Sequence, residues 1–327
     1  MRAMVAREYG DADVFVPADV PEPEVGEHDL LVEVAASSVN PVDCKVRLDG
    51  MRGLRPPPLV LGFDVCGIVR EVGAAVDAFK PGDQVMASPS LARPGANAAL
   101  VAVDARTAAH KPGNIDHAEA AALPLVTITA WQSLHARARL HPNETVLIQA
   151  GGGGVGHIAI QLARIAGARI IATASRPESI ELCQRLGADD VINYAEQDVV
   201  ERVRELTGGE GCPVVMDNVG GHVFTQSLNC LAVHGRLVTI LAPPRDAPIA
   251  EHFVRDVTIA MEFMGATTVF GTRPEAQGQI LETVKELVEV GRVTPHVSHR
   301  FTLDQLADAH RQQETRHTLG KIAVTVA

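Results

Sequence analysis

The chain has 327 residues, of which 46% are hydrophobic and 21% charged, and its formal net charge is -11 at pH 7. This length allows two domains, and the composition is ordinary for a globular protein. The negative charge disfavours nucleic acid and anionic membranes as main partners, because both select for clustered lysine and arginine. No apolar run approaches the roughly 18 residues of a membrane span.

The five cysteines are odd in number, widely spaced and free of C-x-x-C pairs; they are Cys44, Cys66, Cys183, Cys212 and Cys230. This pattern is typical of reduced thiols that fill small spaces in a core. Residues 1–9 lack the long apolar core of a signal peptide. We therefore expect a cytoplasmic protein.

The first third of the chain, residues 1–118, is predicted to be rich in β-structure with tight turns. Residues 30–36 form an apolar strand. Residues 62–73 alternate glycine with apolar side chains, as in a strand that bends sharply around a neighbour. Residues 79–85 place a Pro-Gly turn before another strand.

From about Asp116 the pattern changes to alternating helices and strands. Asp116 is suited to cap a helix over residues 117–123, and a second helix is expected around residues 129–138. Strands and helices then follow at residues 145–150, 157–166, 168–174, 177–186, 187–194, 199–206, 213–217, 223–231 and 236–241. Such alternation predicts a parallel sheet covered on both faces. Two further helices and a final strand are predicted at residues 279–290, 304–312 and 321–326.

A glycine turn lies between the strand at residues 145–150 and the next helix. It fits G-x-G-x-x-G on Gly151, Gly153 and Gly156. With the second strand it forms a βαβ unit of about 30 residues, the size of a dinucleotide-binding motif. Glycine lets the backbone approach a pyrophosphate, and the N–H groups and dipole of the helix attract its charge. This context favours dinucleotide binding over a loop that only turns the chain.

The residues after the second strand favour NADPH over NADH. NAD-binding folds commonly place an acidic residue about 20 residues past the glycine turn. Here that place holds Ser175 and Arg176, and no carboxylate is expected there to repel a 2′-phosphate. Arg176 can pair with the phosphate and Ser175 can donate a hydrogen bond. The alternative for Arg176 is a solvated surface arginine.

Taken together, these motifs resemble the zinc-free quinone oxidoreductase branch, of the zeta-crystallin type, in the medium-chain dehydrogenase/reductase superfamily. The segments that carry the resemblance are 40–43, 62–72, 81–83, 129–131, 151–156, 187–194, 217–221, 235–237 and 320–321. The resemblance implies an α/β chain in which residues 1–118 and 266–327 form a GroES-like catalytic domain. The inserted residues 119–265 would form a Rossmann NADPH-binding domain. Relatives of this branch are commonly dimers or tetramers, so a homo-oligomer is expected.

The resemblance also implies a set of cofactor-binding residues. Tyr194 occupies a position that contacts the 2′-phosphate in relatives, whereas their usual lysine falls on Ser179, which weakens the phosphate clamp. The full set is Thr129, Gly151, Gly153, Gly154, Val155, Gly156, Ser175, Arg176, Tyr194, Asn218, Val219 and Leu241.

The zinc ligands of the superfamily are replaced in this chain. The ligand positions fall on Asn40, on Phe63 and near Leu125, none of which supplies a thiolate or an imidazole. The second, structural zinc needs four close cysteines, and residues 85–115 contain none. No metal is therefore expected.

A nicotinamide donor without zinc suits an acceptor that is already electrophilic, such as a quinone or an α,β-unsaturated carbonyl. Asn40 is expected to donate an amide N–H to the acceptor carbonyl or to cofactor ribose, or else to stabilise a turn. Asp43 would order the local network, and Lys45 would stabilise the oxyanion or deliver a proton unless it is a surface lysine. Phe63 and Trp131 would line the pocket or belong to the core.

Two other functions are retained as alternatives. The first is an enoyl-thioester reductase, although such relatives use a catalytic-domain tyrosine and this chain has only Tyr9 and Tyr194. The second is a non-catalytic NADPH-binding protein with a structural or regulatory role, because a fold does not fix a function.

Overall fold

The computed structural model describes residues 1–53 and 55–326. Contacts divide the chain into two compact units. The terminal unit comprises Met1–Ile128 and Gly265–Ala327, and the central unit comprises Thr129–Met264. The predicted fold class, a β-rich unit with an inserted α/β unit, is confirmed.

The strands of the described residues are β1 (Arg2–Ala6), β2 (Phe15–Asp19), β3 (Asp29–Val39), β4 (Leu59–Val60), β5 (Val65–Val72), β6 (Gln84–Ala87), β7 (Leu100–Asp104), β8 (Ala108–His110), β9 (Thr145–Ile148), β10 (Arg169–Ala174), β11 (Asp190–Asn193), β12 (Cys212–Asp217), β13 (Leu231–Thr239), β14 (Thr258–Met261), β15 (Val297–Thr302) and β16 (Lys321–Thr325). The α-helices are α1 (Pro41–Gly53), α2 (His117–Ala121), α3 (Pro124–Trp131), α4 (Gly154–Ile165), α5 (Pro177–Leu186), α6 (Val199–Leu206), α7 (His222–Asn229), α8 (Ala266–Phe270), α9 (Glu275–Glu289) and α10 (Leu306–Glu314). A π-helical stretch, Gln132–Arg137, follows α3.

The larger sheet of the terminal unit has the order β15-β16-β3-β5-β6-β8, and β7 also pairs with β3. Its long strand β3 buries Leu30, Val32 and Val34 in one core. A Cβ atom at Gly67 of β5 would lie 2.0 Å from the backbone oxygen of Glu33, so only glycine allows β5 to cross β3 this closely. The close approach of Gly67 to the backbone of β3 thus explains the glycine in the pattern that predicted a bent strand.

The end of the chain returns to the middle of this sheet. Strand β16 pairs antiparallel with β3, with Ile322 opposite Val39 and Ala323 opposite Ser38. This register brings Lys321 next to the residue that follows β3, which is Asn40.

The central unit contains a six-stranded parallel sheet of order β11-β10-β9-β12-β13-β14. One row of side chains crosses it from Ile171 through Leu147, Val215 and Leu237 to Ile259. The first four are buried in one apolar core, and Ile259 packs against it. The strand order reverses between β9 and β12, which is where such sheets bind ligands. The alternating pattern of the sequence predicted this arrangement.

The boundary between the units lies at Ile128, later than residue 118, where the sequence analysis placed it. The segment after residue 118 stays with the terminal unit, because Ala120 and Leu123 are fully buried and the backbone N–H of Leu125 bonds to Asp64. Among the described residues, no helix combines the length and the apolar character needed to cross a bilayer.

Helix α1 differs from the sequence-based expectation of strands and turns in this part of the chain. The helix buries the charged side chains of Asp43 and Arg47, so its inward face lacks the apolar periodicity that marks a helix. Arg47 donates to the carbonyl oxygen of Gly10 over 3.1 Å and pairs with Glu314. Its Nη1 also donates to Nδ1 of His310 over 3.1 Å, which links α1 to α10.

His310 makes the stability of the terminal unit sensitive to acid. Burial and the neighbouring Arg47 cation lower the pKa of His310 to about 3. Between pH 6.5 and 3 the unfolded chain therefore binds a proton at His310 that the folded chain does not bind. The free energy of unfolding falls as the pH falls through this window.

The wild-type free energy of unfolding should therefore change by about 1.4 kcal/mol per pH unit in this window because of His310, and we expect the His310→Asn variant to lose that contribution. Chemical denaturation between pH 6 and 4 measures that slope, and His317→Asn, an exposed site, is the control. An unchanged slope in His310→Asn would contradict the prediction.

Candidate active site

Five polar side chains are buried together where β3 ends, α1 begins and β16 returns. We call them the Asp64 cluster: Ser38, Asn40, Asp43, Asp64 and Lys321. None is more than 2% exposed. Buried charges are stable only when they are paired and hydrogen-bonded, so the geometry of this group decides what it can do.

Asp64 lies at the centre of the cluster. Its Oδ2 accepts hydrogen bonds from Ser38 Oγ at 2.6 Å and from Asn40 Nδ2 at 2.8 Å, and it forms an ion pair with Lys321 Nζ at 3.2 Å. Its Oδ1 accepts from the backbone N–H of Leu125 at 2.7 Å. The carboxylate is therefore fully satisfied.

The cluster fixes the orientation of the Asn40 amide. Lys321 also donates to Asn40 Oδ1. An ammonium group has no acceptor, so the amide oxygen must face Lys321 and the amide nitrogen must face Asp64. Asn40 Nδ2 gives one hydrogen to Asp64 and retains a second one.

Asp43 holds the backbone around Asn40. Its Oδ2 accepts from the backbone N–H of Asn40 and its Oδ1 from that of Gly62, both at 2.9 Å. Burial, with a smaller contribution from Asp64, raises the pKa of Asp43 to about 7, although these two bonds and Lys321 oppose the shift. The carboxyl group thus joins the start of α1 to the segment before β5.

The other candidates of this unit lie outside the Asp64 cluster. Lys45 is exposed on α1. Phe63 is fully buried in an apolar core, with its carbonyl oxygen accepting from Ser88 Oγ at 2.7 Å. Leu125 packs its side chain against the same core. The three aligned zinc-ligand positions therefore surround Asp64 but offer one amide and two apolar side chains. In the described part of the chain, no three His, Cys, Asp or Glu residues form a group that could hold a metal.

In the central unit, the glycine turn has the shape that a pyrophosphate requires. Gly153 precedes α4, and no side chain in the described part of the chain caps this helix, so its first N–H groups remain available to a ligand. A Cβ atom at Gly151 would lie 2.8 Å from that of Ala172, and one at Gly156 would lie 2.2 Å from the carbonyl oxygen of Ala150. The turn therefore needs glycine at both positions.

A buried polar network holds the backbone that leads from β9 into this turn. Thr173 Oγ1 donates to Gln149 Oε1 at 2.9 Å and accepts from the backbone N–H of Ala150 at 3.0 Å. Asn218 Nδ2 donates to the carbonyl oxygen of Gln149 at 2.8 Å. Asn218 Oδ1 is buried without a partner among the described residues, so it can accept a hydrogen bond from a ligand. Asn218 was predicted to bind the cofactor, whereas Gln149 and Thr173 were not predicted to belong to the site.

The second loop at the switch point is held by Asp217. Its Oδ1 accepts from the backbone N–H groups of Val219 and Gly220 at 2.9 Å, and its Oδ2 accepts from Thr239 Oγ1 at 3.2 Å. Thr239 Oγ1 also contacts the carbonyl oxygen of Leu241 at 3.1 Å. Val219 and Leu241, both predicted to bind the cofactor, therefore lie in two loops, after β12 and after β13, that Asp217 and Thr239 join.

The residues predicted to hold a 2′-phosphate lie near the ends of β10 and β11. Arg176 precedes α5 and forms an ion pair with Glu178, with Nη1 3.3 Å from Oε1. The expectation that no carboxylate lies here is therefore wrong, because the first turn of α5 brings Glu178 back to the guanidinium. Ser175 is half-buried and Tyr194 is exposed.

The remaining candidates lie on α3 and in the first turn of α4, and Thr127 is a neighbour of Thr129 on α3. Thr129 is buried, and Thr127 Oγ1 is buried without a partner among the described residues. Trp131 contacts the ring of His135 edge-on at 4.6 Å, at the start of the π-helical stretch. Val155 is half-buried in the first turn of α4.

A parallel sheet of this order, with a glycine turn at its switch point and inserted into a β-rich unit, defines a dinucleotide-binding protein. Residues 26–119 match the family described as "Alcohol dehydrogenase GroES-like domain", and residues 154–286 match "Zinc-binding dehydrogenase". The chain belongs to the medium-chain dehydrogenase/reductase superfamily, as its motifs predicted.

Several relatives cover nearly the whole chain. The chloroplastic NADPH-dependent alkenal/one oxidoreductase of Arabidopsis thaliana is 32% identical over 99% of this chain and 79% of its own length. The quinone oxidoreductase of Lama guanicoe is 29% identical over 98% of this chain and 95% of its own. Among solved structures, the quinone oxidoreductase of Escherichia coli in complex with NADPH has a TM-score of 0.88 at 28% identity and covers 100% of both chains.

The ion pair in the Asp64 cluster generates a test by mutation. Lys321→Met leaves Asp64 as a buried, unpaired charge and is expected to lower the free energy of unfolding by about 3–5 kcal/mol. The double variant Lys321→Met/Asp64→Asn removes both charges and should recover much of this loss. Urea unfolding of the single and double variants measures the difference. The exposed pair Arg2–Asp304 is the control, since removing an ion pair that is open to water should change the stability little. A double variant no more stable than Lys321→Met alone would contradict the account.

Proposed function

We propose that the protein is an NADPH-dependent oxidoreductase that reduces quinones or α,β-unsaturated carbonyl compounds by hydride transfer without a metal ion. One observation carries the dinucleotide part of this proposal: the braced glycine turn at the switch point of the central sheet. The choice of reaction is supported by relatives named as NADPH-dependent alkenal/one and quinone oxidoreductases.

The central unit supplies groups that fit each part of NADPH. The N–H groups at Gly154, Val155 and Gly156 would bind the pyrophosphate. Arg176, assisted by Ser175 and Tyr194, would bind the 2′-phosphate. The free acceptor of Asn218, with Thr129 and the two joined loops of Val219 and Leu241, would contact the ribose and nicotinamide. The bound cofactor supplies the hydride.

The terminal unit would stabilise the charge that develops on the acceptor oxygen. The uncommitted hydrogen of Asn40 Nδ2 is the proposed donor, and Lys321 and Asp64 hold the amide in the orientation that presents it. Asp43 is assigned the positioning of the Asn40 backbone, and Phe63 the apolar core. Lys45, which is exposed, remains a candidate proton source, and Trp131 a candidate pocket residue.

Two features of the Asp64 cluster and its neighbours support metal independence: side chains that do not bind zinc at the aligned ligand positions, and a buried lysine. Asn40, Phe63 and Leu125 cannot supply zinc with its preferred ligands. The Lys321 ammonium instead places a positive charge beside Asn40 and Asp64.

The two alternatives are less favoured. Among the two tyrosines, Tyr9 donates its hydroxyl to the carbonyl oxygen of Arg55 at 2.7 Å, and Tyr194 belongs to the central unit. Neither is placed as the catalytic-domain proton donor of an enoyl-thioester reductase. A non-catalytic NADPH-binding protein would not need the oriented amide of Asn40.

All five cysteines are free and buried, which supports a reducing, cytoplasmic location.

A panel of quinones and enones tests the proposal by stopped-flow oxidation of NADPH. We expect turnover of at least one acceptor, unchanged by a chelator, and an Asn40→Ala variant with kcat reduced by about 10²-fold, as for other oxyanion donors. A folding check by circular dichroism separates loss of the donor from loss of the Asp64 cluster. Tight NADPH binding without turnover of any acceptor would support the non-catalytic alternative, and inhibition by the chelator would contradict metal independence.

We propose further that the protein is a dimer that pairs through β14. This strand ends the central sheet, and no strand of the described residues pairs with its outer edge. Around it lie several exposed apolar side chains, namely Phe253, Val254, Met261 and Phe263. A second copy fits this edge, because two identical strands related by a two-fold axis can pair antiparallel and cover both apolar patches.

Charge on that patch should separate the dimer. Met261, which is 64% exposed, can be replaced by lysine without disturbing a core. We expect Met261→Lys to shift the molar mass measured by light scattering after size exclusion from that of two chains to that of one. Val290→Lys, at an exposed apolar residue of the terminal unit, is the control and should stay dimeric. A wild-type protein that elutes as a monomer at micromolar concentration would overturn this proposal.

A further inference from the structure

Two opposite charges lie side by side where the cofactor's ribose is recognised. Arg176 immediately precedes α5 and Glu178 lies in its first turn, directly after the end of β10. Their side chains form an ion pair at 3.3 Å and are 35% and 53% exposed. Both groups are therefore accessible to a ligand that binds at this end of the sheet.

The two charges recognise different dinucleotides. An arginine binds the 2′-phosphate of NADPH through charge-assisted hydrogen bonds. A carboxylate at this place in the fold accepts a hydrogen bond from the ribose 2′-OH of NADH. Sites of this kind commonly have either the arginine or the carboxylate. This sequence has both within one helical turn.

Glu178 must weaken the binding of NADPH relative to a site that holds Arg176 alone. Its carboxylate neutralises part of the guanidinium charge of Arg176. It also repels the 2′-phosphate, which has to replace Glu178 as the partner of Arg176. The neighbouring Ser179 cannot compensate, because it is neutral, only 8% exposed, and its backbone N–H bonds to the carbonyl oxygen of Arg176 at 3.0 Å.

We propose that Glu178 is a specificity-determining residue that lowers the affinity for NADPH and allows the same site to bind NADH. This inference rests on the proposed dinucleotide site but not on the identity of the acceptor. In the NADPH complex Arg176 turns from Glu178 to the phosphate, and in the NADH complex the pair persists and Glu178 accepts the 2′-OH.

Binding titrations of the purified protein test this directly. We expect Glu178→Gln to lower the Kd for NADPH about 2- to 5-fold, the range for one charge at an exposed site, and to raise the Kd for NADH about 2- to 5-fold. The effect on NADPH should shrink at high salt, because exposed charges are screened. Nicotinamide fluorescence reports both constants without any turnover.

Glu181→Gln is the matched control, because it removes the same charge from an exposed position of the same helix. Its ratio of the two Kd values should stay within about 2-fold of the wild-type ratio. An unchanged ratio in Glu178→Gln, or weaker NADPH binding, would overturn the proposal and make Glu178 a support for Arg176. Normal binding of both dinucleotides without turnover would instead contradict the proposed enzyme and leave this inference standing.

Discussion

The ion pair between Lys321 and Asp64 is the interaction on which the terminal unit depends. It connects the strand that ends the chain to the start of β5, and Asp64 extends the connection to Asn40 and to the backbone of Leu125. Both charges are almost completely removed from water, so either one alone would be strongly destabilising. The pair therefore requires both ends of the chain to be in place before the Asn40 amide has a defined orientation.

The central unit fixes its loops through buried hydrogen bonds. Gln149 and Thr173 bond the backbone below the glycine turn, and Asp217 holds the loop on the other side of the switch point. These bonds fix two loops at the carboxyl ends of β9 and β12, while the N–H groups of α4 and the acceptor of Asn218 stay available. A preformed site of this kind binds a dinucleotide with little ordering cost.

The sequence predicted those features that follow from local pattern. The glycine turn and the parallel sheet were predictable because the apolar period changes visibly from strand to helix. Helix α1 was not, because Asp43 and Arg47 occupy its buried face. The Lys321–Asp64 pair was also missed, since only tertiary pairing brings together residues 257 positions apart. The sequence places Glu178 two residues after Arg176, but their contact depends on the first turn of α5, which brings the two side chains together.

We propose hydride transfer from NADPH to an electrophilic carbon, with Asn40 and Lys321 in place of a metal. It is tested most directly by single turnover of metal-stripped protein with NADPH deuterated at the transferring C4 position and an enone acceptor. Mass spectrometry of the product should show one deuterium on carbon. A product without deuterium, or a reaction that proceeds only after zinc is returned, would contradict the account.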